Sequence, residues 1–310
     1  MKKIFLLLAA ASVAAMTVSA QDINKAIELA NSGNDAFQMG EYALAVDAFK
    51  NSLAIAEELG EEGAEHAGTC KTAICNIFLA HAKNLIKSSD FEGALAKLGE
   101  TITTAEGYGI AETAADAKEL IPQVYMQQGN TAYKAKDMAN AIAAYTKVTE
   151  LNPENGDAYL LLGRTLAATG KVEEAVAAYE SAAANGEEAS AKKQLSTLFL
   201  KKAQANLKTK NFQEVIDNAI KANSYLENAN AYKLAASAAQ KMGNNAQCIE
   251  FYEKYLGIKP DAKDAAGVTF TIAALYQQAG DKAKAVEYYE KVASDPQFGA
   301  GAQEQLKVLK

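Results

Sequence analysis

Beyond residue 18 the sequence has no apolar run long enough to cross a bilayer, which takes ~20 residues, so nothing downstream predicts a membrane helix. Basic residues are also in deficit, 31 Lys and Arg against 38 Asp and Glu. An acidic chain is poorly suited to nucleic acid or an anionic membrane, both of which are held through basic patches. There are only three cysteines, so at least one stays unpaired and no disulfide framework is expected. Cys70 and Cys75 are five apart, and on a helix that spacing turns their side chains about 140° away from each other. All three thiols are expected as small buried apolar groups.

Catalytic and metal-binding patterns are missing too. The glycines stand singly, not in a phosphate-cradling loop, and no Gly-x-Ser-x-Gly or His-Glu-x-x-His occurs. His66 and Cys70 are four apart and share a helix face, but Cys75 points elsewhere and His81 lies about 22 Å further along a straight helix. Zinc needs four ligands within ~2.0–2.3 Å, so no metal site is expected. Acidic clusters such as Glu57-Glu58, Glu61-Glu62 and Glu187-Glu188 sit beside solvated turns and predict surface charge, not catalysis. No cofactor is expected, and the chain is expected not to be an enzyme.

The first twenty residues form a leader. Lys2 and Lys3 precede an uncharged stretch from Ile4 to Val18, and Val18-Ser19-Ala20 ends it with a small residue at the last position. This layout predicts cleavage between Ala20 and Gln21 and export, to the periplasm or beyond the cell, in preference to an uncleaved anchor. Losing Lys2 and Lys3 would leave 29 of the 31 basic residues against 38 acidic ones, a net charge of −9.

What the chain does contain is repetition. A turn-forming pair, then an often apolar residue, then a small residue three further on, recurs seven times. It occurs as Gly40-Glu41-Tyr42 with Ala45, Ser89-Asp90-Phe91 with Ala94, and Lys136-Asp137-Met138 with Ala141. It continues as Gly170-Lys171-Val172 with Ala175, and Lys210-Asn211-Phe212 with Val215. The last two are Gly243-Asn244-Asn245 with Cys248 and Gly280-Asp281-Lys282 with Ala285. Four residues past the small one stands Phe49, Leu98, Tyr145, Tyr179, Tyr252 or Tyr289, with Ala219 the exception. Twelve before it stands Gly33, Ala82, Gly129, Gly163, Ala203, Ala236 or Ala273. Two helices that cross closely need small side chains where their backbones meet. The large residue is expected to fill the space toward the next hairpin, with Tyr179 on the convex side. The turn pair ends one helix and caps the next, and Pro153 and Pro260 supply stops. Each unit is a helical hairpin whose apolar faces are buried only by stacking, which makes an all-α solenoid.

Pro153, Tyr159, Leu162, Gly163, Gly170, Ala175, Tyr179 and Ala182 resemble the tetratricopeptide repeat, whose period is ~34 residues. Aligned turns put repeat starts near 26, 75, 122, 156, 196, 229 and 266, so the array is expected over 21–300 with a capping helix over 301–310. Longer helices are expected around Glu57 to Ile86 and Glu112 to Ala135, with a kink or restart at Pro122. The resemblance implies a right-handed superhelix of about seven antiparallel helix pairs. It also implies a concave groove, lined by first helices, that holds an extended peptide or a partner helix. The implied groove residues are Asn34, Phe37 and Gln38; Leu79, Lys83, Ile86 and Lys87; Met126, Asn130, Tyr133 and Lys134; Leu160 and Arg164; and Gln204 and Lys208. Together they would form an apolar stripe edged with amides and cations, suited to a protein or peptide partner. The family's carboxylate clamp, a Lys four residues before an Asn, is missing: Ala30 precedes Asn34 and Met126 precedes Asn130. Self-association into an envelope assembly is the alternative function. A repeat-bearing hydrolase has almost no sequence left for a catalytic domain.

Overall fold

Each repeated turn is set by one backbone requirement, a residue in the left-handed region. Gly40, Ser89, Lys136, Gly170, Lys210, Gly243 and Gly280 have φ between +62° and +81°. The amide N–H of the next residue (Glu41, Asp90, Asp137, Lys171, Asn211, Asn244 or Asp281) then donates to the carbonyl five residues back, at 2.9–3.0 Å in all seven. That bond satisfies a carbonyl the helix end would otherwise leave open. Asp90, Asp137, Asn244 and Asp281 also accept from the backbone of the helix they open. Glu41, Lys171 and Asn211 make no such side-chain bond.

The computed structural model describes residues 22–310, and the expected leader over 1–20 lies outside the described residues. All regular structure among the described residues is helical. The chain divides into two compact units that meet at Pro153 and Glu154.

The first unit holds three hairpins. They pair α1 (22–38) with α2 (Tyr42–Glu58), α3 (Ala64–Lys87) with α4 (Phe91–Tyr108), and α5 (Ala111–Lys134) with α6 (Met138–Leu151). The second unit holds four more. They pair α7 (Gly156–Ala168) with α8 (Val172–Ala182), α9 (Glu188–Lys208) with α10 (Phe212–Tyr225), α11 (Ala229–Lys241) with α12 (Asn245–Ile258), and α13 (Ala265–Gln278) with α14 (Lys282–Lys291). A last helix, α15 (Gly299–Leu309), covers the final hairpin through Ala302, Leu306 and Leu309.

The first helices of the second, third and fifth pairs start at 64, 111 and 188, earlier than the aligned 75, 122 and 196. The extra residues lengthen α3, α5 and α9 to 24, 24 and 21 residues. No helix runs from Glu57 into Ile86, because Gly60 is left-handed (φ +61°) and a tight 3₁₀ turn spans Gly60–Gly63. Gly63 lies so close to α2 that a methyl there would sit 2.0 Å from the Ala56 carbonyl oxygen. At Pro122 the helix does not restart: α5 continues through it from Ala111 to Lys134.

The packing rule inside a hairpin also differs from the expected one. Methyls placed on Gly33, Gly129 and Gly163 would come within 2.6–2.7 Å of the rings of Phe49, Tyr145 and Tyr179. The large residue therefore lies over the glycine of its own hairpin, not toward the next one. Tyr179 is 2 % exposed, so it is a core residue and not a convex surface position.

Candidate protein-binding face

In the first unit α3 runs against α5, and in the second α9 touches both α7 and α11; second helices of successive pairs approach each other less. Within each unit the layer of first helices is therefore the more closely spaced one, the inner side of a stack. A partner lying along it would reach several repeats at once.

The expected groove residues divide by burial. Asn34, Phe37 and Gln38 on α1, Lys83 and Lys87 on α3, and Lys134 on α5 are exposed. Ile86, Met126, Asn130 and Tyr133 are half-buried. Leu79 is buried in a core with Ala82, Leu98, Ala117 and Val124. The lengthened α3 and α5 lie side by side there, which takes Leu79 out of reach of a partner. Asn130 is engaged from within: the hydroxyl of buried Tyr145 donates to its Oδ1 at 2.8 Å. A buried phenol needs such an acceptor. In the second unit Leu160 is half-buried and Arg164, Gln204 and Lys208 are exposed.

Ile27, 41 % exposed, is a surface residue that the repeat alignment does not single out. It lies seven residues before Asn34, two helical turns back on the same stripe, and that spacing was the available signal. The first unit thus presents Ile27 and Phe37 as apolar anchors. Phe37 is set edge-on against Tyr42 (6.0 Å between centroids), and Tyr42 stacks on His81 at 4.5 Å. Burial, helped by the Lys97 charge, holds the His81 pKa below the usual imidazole value. Among the described residues no carboxylate forms an ion pair with Lys83, Lys87 or Lys134.

The structure also joins Ser52, His66 and Cys70. Ser52 Oγ–H donates to the Ala26 carbonyl (2.6 Å) and accepts from His66 Nε2 (2.8 Å) and the Cys70 thiol (3.3 Å). A nucleophilic serine must point its proton at the base. Here the proton goes to a backbone carbonyl, and the network ties α1, α2 and α3 together. Cys70, Cys75 and Cys248 are all buried and unpaired, and burial raises each thiol pKa, that of Cys248 to about 11. Among the described residues no three potential ligands gather around a metal-sized site, and no helix is long and apolar enough to cross a membrane.

Tetratricopeptide-repeat family models match residues 126–190, 229–262 and 267–294. Over those three segments the chain carries tetratricopeptide repeats, which are in general protein-interaction modules. Among solved structures it is similar to the MamA protein, at 24% identity over 59% of this chain and 96% of that one, with a TM-score of 0.35. It is also similar to the TPR domain of P58(IPK), at 13% identity over 93% and 97% of the two chains, TM-score 0.28. A third is a thermophilic TPR protein of Thermus thermophilus, at 14% identity over 61% and 98%, TM-score 0.27. No curated protein matches the sequence.

Proposed function

We propose that this chain is an exported, non-catalytic scaffold that holds a protein or peptide partner along the first-helix face of its repeats. The observation that carries the reading is the exposed set Ile27, Phe37, Lys83, Lys87 and Lys134 on the first helices of one unit. Apolar side chains at helical spacing supply anchors, and cations on an otherwise acidic protein select a partner with carboxylates beside its apolar residues. Export rests on the leader-like residues 1–20. Its test is the mass of the native chain, which should begin at Gln21; an intact Met1 in the mature protein rejects export by cleavage.

For the interaction itself, charge reversal at Lys83 and Lys87 gives the test. Complexes isolated from the native cell are compared for the natural chain and for the Lys83→Glu/Lys87→Glu double variant. The partner recovered with the natural chain should bind the variant at least about tenfold more weakly, with the difference shrinking as salt rises. Equal binding at low salt would remove the two lysines from the site.

A further inference from the structure

Where the sixth hairpin meets the seventh, α12 and α13 leave a cavity of about 380 Å³. Ala246 and Ile249 of α12, with Ala279 at the end of α13, line it with apolar groups, and Tyr276 adds an aromatic ring. Asn245, also at the cavity, donates to Gln278 of α13 at 3.1 Å. The remaining lining residues are three carboxylates, Glu250 and Glu253 of α12 and Asp281 of the turn before α14. Two of these are fixed by neutral donors. The hydroxyls of Tyr276 and Tyr288 both donate to Glu253 Oε1, at 3.0 and 2.7 Å, which leaves Oε2 for another donor. Asp281 accepts from the Lys284 amide at 3.0 Å as it caps α14.

The cations around the cavity are engaged elsewhere. Lys254 pairs with Glu250 at 2.8 Å and lies over the Tyr232 ring. Lys284 stands over the Tyr276 ring at 5.3 Å, and Lys291 pairs with Glu287 and stands over Tyr288 at 4.0 Å. Lys282 is exposed. None of the four lines the cavity, and among the described residues neither Glu253 nor Asp281 forms an ion pair. Burial, the bond to Glu253 and the charges of Glu253, Asp281 and Glu287 together push the Tyr276 pKa up to about 12, as a negative local potential requires. The arrangement is also peculiar to this junction. Glu253 stands five residues past the small residue of its hairpin and Tyr276 nine before that of the next. At the other five junctions these two positions never combine a carboxylate with an aromatic ring; Glu180, the other acid in the series, is in register with Asn206.

We propose that this cavity takes an arginine side chain of a partner protein, at a site separate from the first-helix residues described above. An anion would be repelled by the carboxylates. A metal ion is not suited either, since among the described residues no three potential ligands gather at a metal-sized site. Carboxylates spaced around apolar and aromatic walls suit a delocalised cation on an aliphatic stem. The stem lies along Ala246 and Ile249, the guanidinium plane meets the Tyr276 ring, and its N–H groups reach Glu253 and Asp281. A second hollow of about 300 Å³ continues on the far side of Glu253, lined in part by Leu256, Pro260 and Thr269. It gives room for the residues next to the arginine, which a free guanidinium compound would leave empty, so a protein segment is the occupant.

Isoleucine-methyl NMR on the full chain, with the Ile249 signal assigned through Ile249→Val, tests this. The probe is Nα-acetyl-arginine methylamide, and the citrulline analogue supplies the same shape without the charge. The arginine probe should shift the Ile249 signal saturably in roughly the millimolar range, more weakly as salt rises, and the citrulline compound should not. Glu253→Gln keeps an oxygen acceptor for Tyr276 and Tyr288, and Asp281→Asn keeps a cap like the one Asn244 forms on α12. Each removes a charge without removing the hydrogen bonds that hold the hairpin, and each should weaken the probe at least about fivefold. An Ile249 signal unmoved at every probe concentration overturns the proposal. So do equal shifts from the two compounds, or binding that neither variant weakens. Because the probe is a small molecule, the result does not depend on what the first-helix face binds.

Discussion

Replacing Gly163 by valine should destabilise the second unit by about 3 kcal/mol, whereas alanine there should cost about 1 kcal/mol or less. A methyl on Gly163 would sit 2.7 Å from Tyr179 Cδ1, and that ring, 2 % exposed, has little room to withdraw. Alanine gains helix propensity of about 1 kcal/mol over glycine, which offsets part of the clash. The last hairpin shows that alanine can be accommodated, since Ala273 and Tyr289 stand at the same two positions in one core. Valine adds a branched side chain that cannot rotate away on a helix. Gly129→Val should do the same to the first unit, where the Tyr145 ring would be 2.6 Å from the added methyl. Denaturant midpoints of the two single variants and their combination check this. The two effects should add, because the sites share no partner. A Gly163→Val variant as stable as the natural chain would show that the ring does not rest on the glycine.

Stability should hold to about pH 10 and then fall steeply toward pH 12, with the loss centred on α12 to α14. Three phenols there are hydrogen-bonded to carboxylates. Tyr255 donates to Asp264 at 2.6 Å, and that bond together with burial pushes its pKa up to about 12. Tyr276 is pushed up to about 12 by burial and by its bond to Glu253, and Tyr288 is raised by the same causes. The unfolded chain releases these protons near pH 10. Above that pH the unfolded state binds fewer protons than the folded one, so deprotonation favours unfolding. The stabilisation is complete below about pH 10 and disappears as pH rises through the folded values. Phenolate absorbance and helical content, followed together, should change in one step. Glu253→Gln removes the charge that Tyr276 and Tyr288 face and should make the decline shallower. A profile level to pH 12 would contradict this account of the tyrosines.

The hairpins were legible because their turns depend on local chemistry. A left-handed residue followed by the residue that opens the next helix is written in adjacent letters, and all seven such pairs form the same turn, four of them with a side-chain cap. The small residues were equally legible, since a close helix crossing admits little else. What rests on those small residues was not, because Tyr145 over Gly129 and Tyr145 bonded to Asn130 are contacts across a hairpin. The connection at 60–63 carried a signal in Gly60 and Gly63, but both lay in a stretch where regular spacing favoured one long helix. Of the residues that the resemblance implies for the face, Lys83, Lys87 and Lys134 are exposed. The burial of Leu79 depends on how closely α3 and α5 run together, a separation that no single helix encodes. Ile27 stands at none of the four groove positions of the repeat, so the repeat pattern alone does not mark it.

Whether the first-helix face meets a partner is tested most directly by site-specific photo-crosslinking in the living cell. Probes at Phe37 and Tyr133 sample that face, and a probe at Lys147 on α6, exposed on a second helix, serves as the control. A discrete adduct from Phe37 and Tyr133, with none from Lys147, is the result expected of a scaffold that binds along its first helices. No adduct from Phe37 or Tyr133 in folded protein, or equal adducts from all three positions, would contradict it.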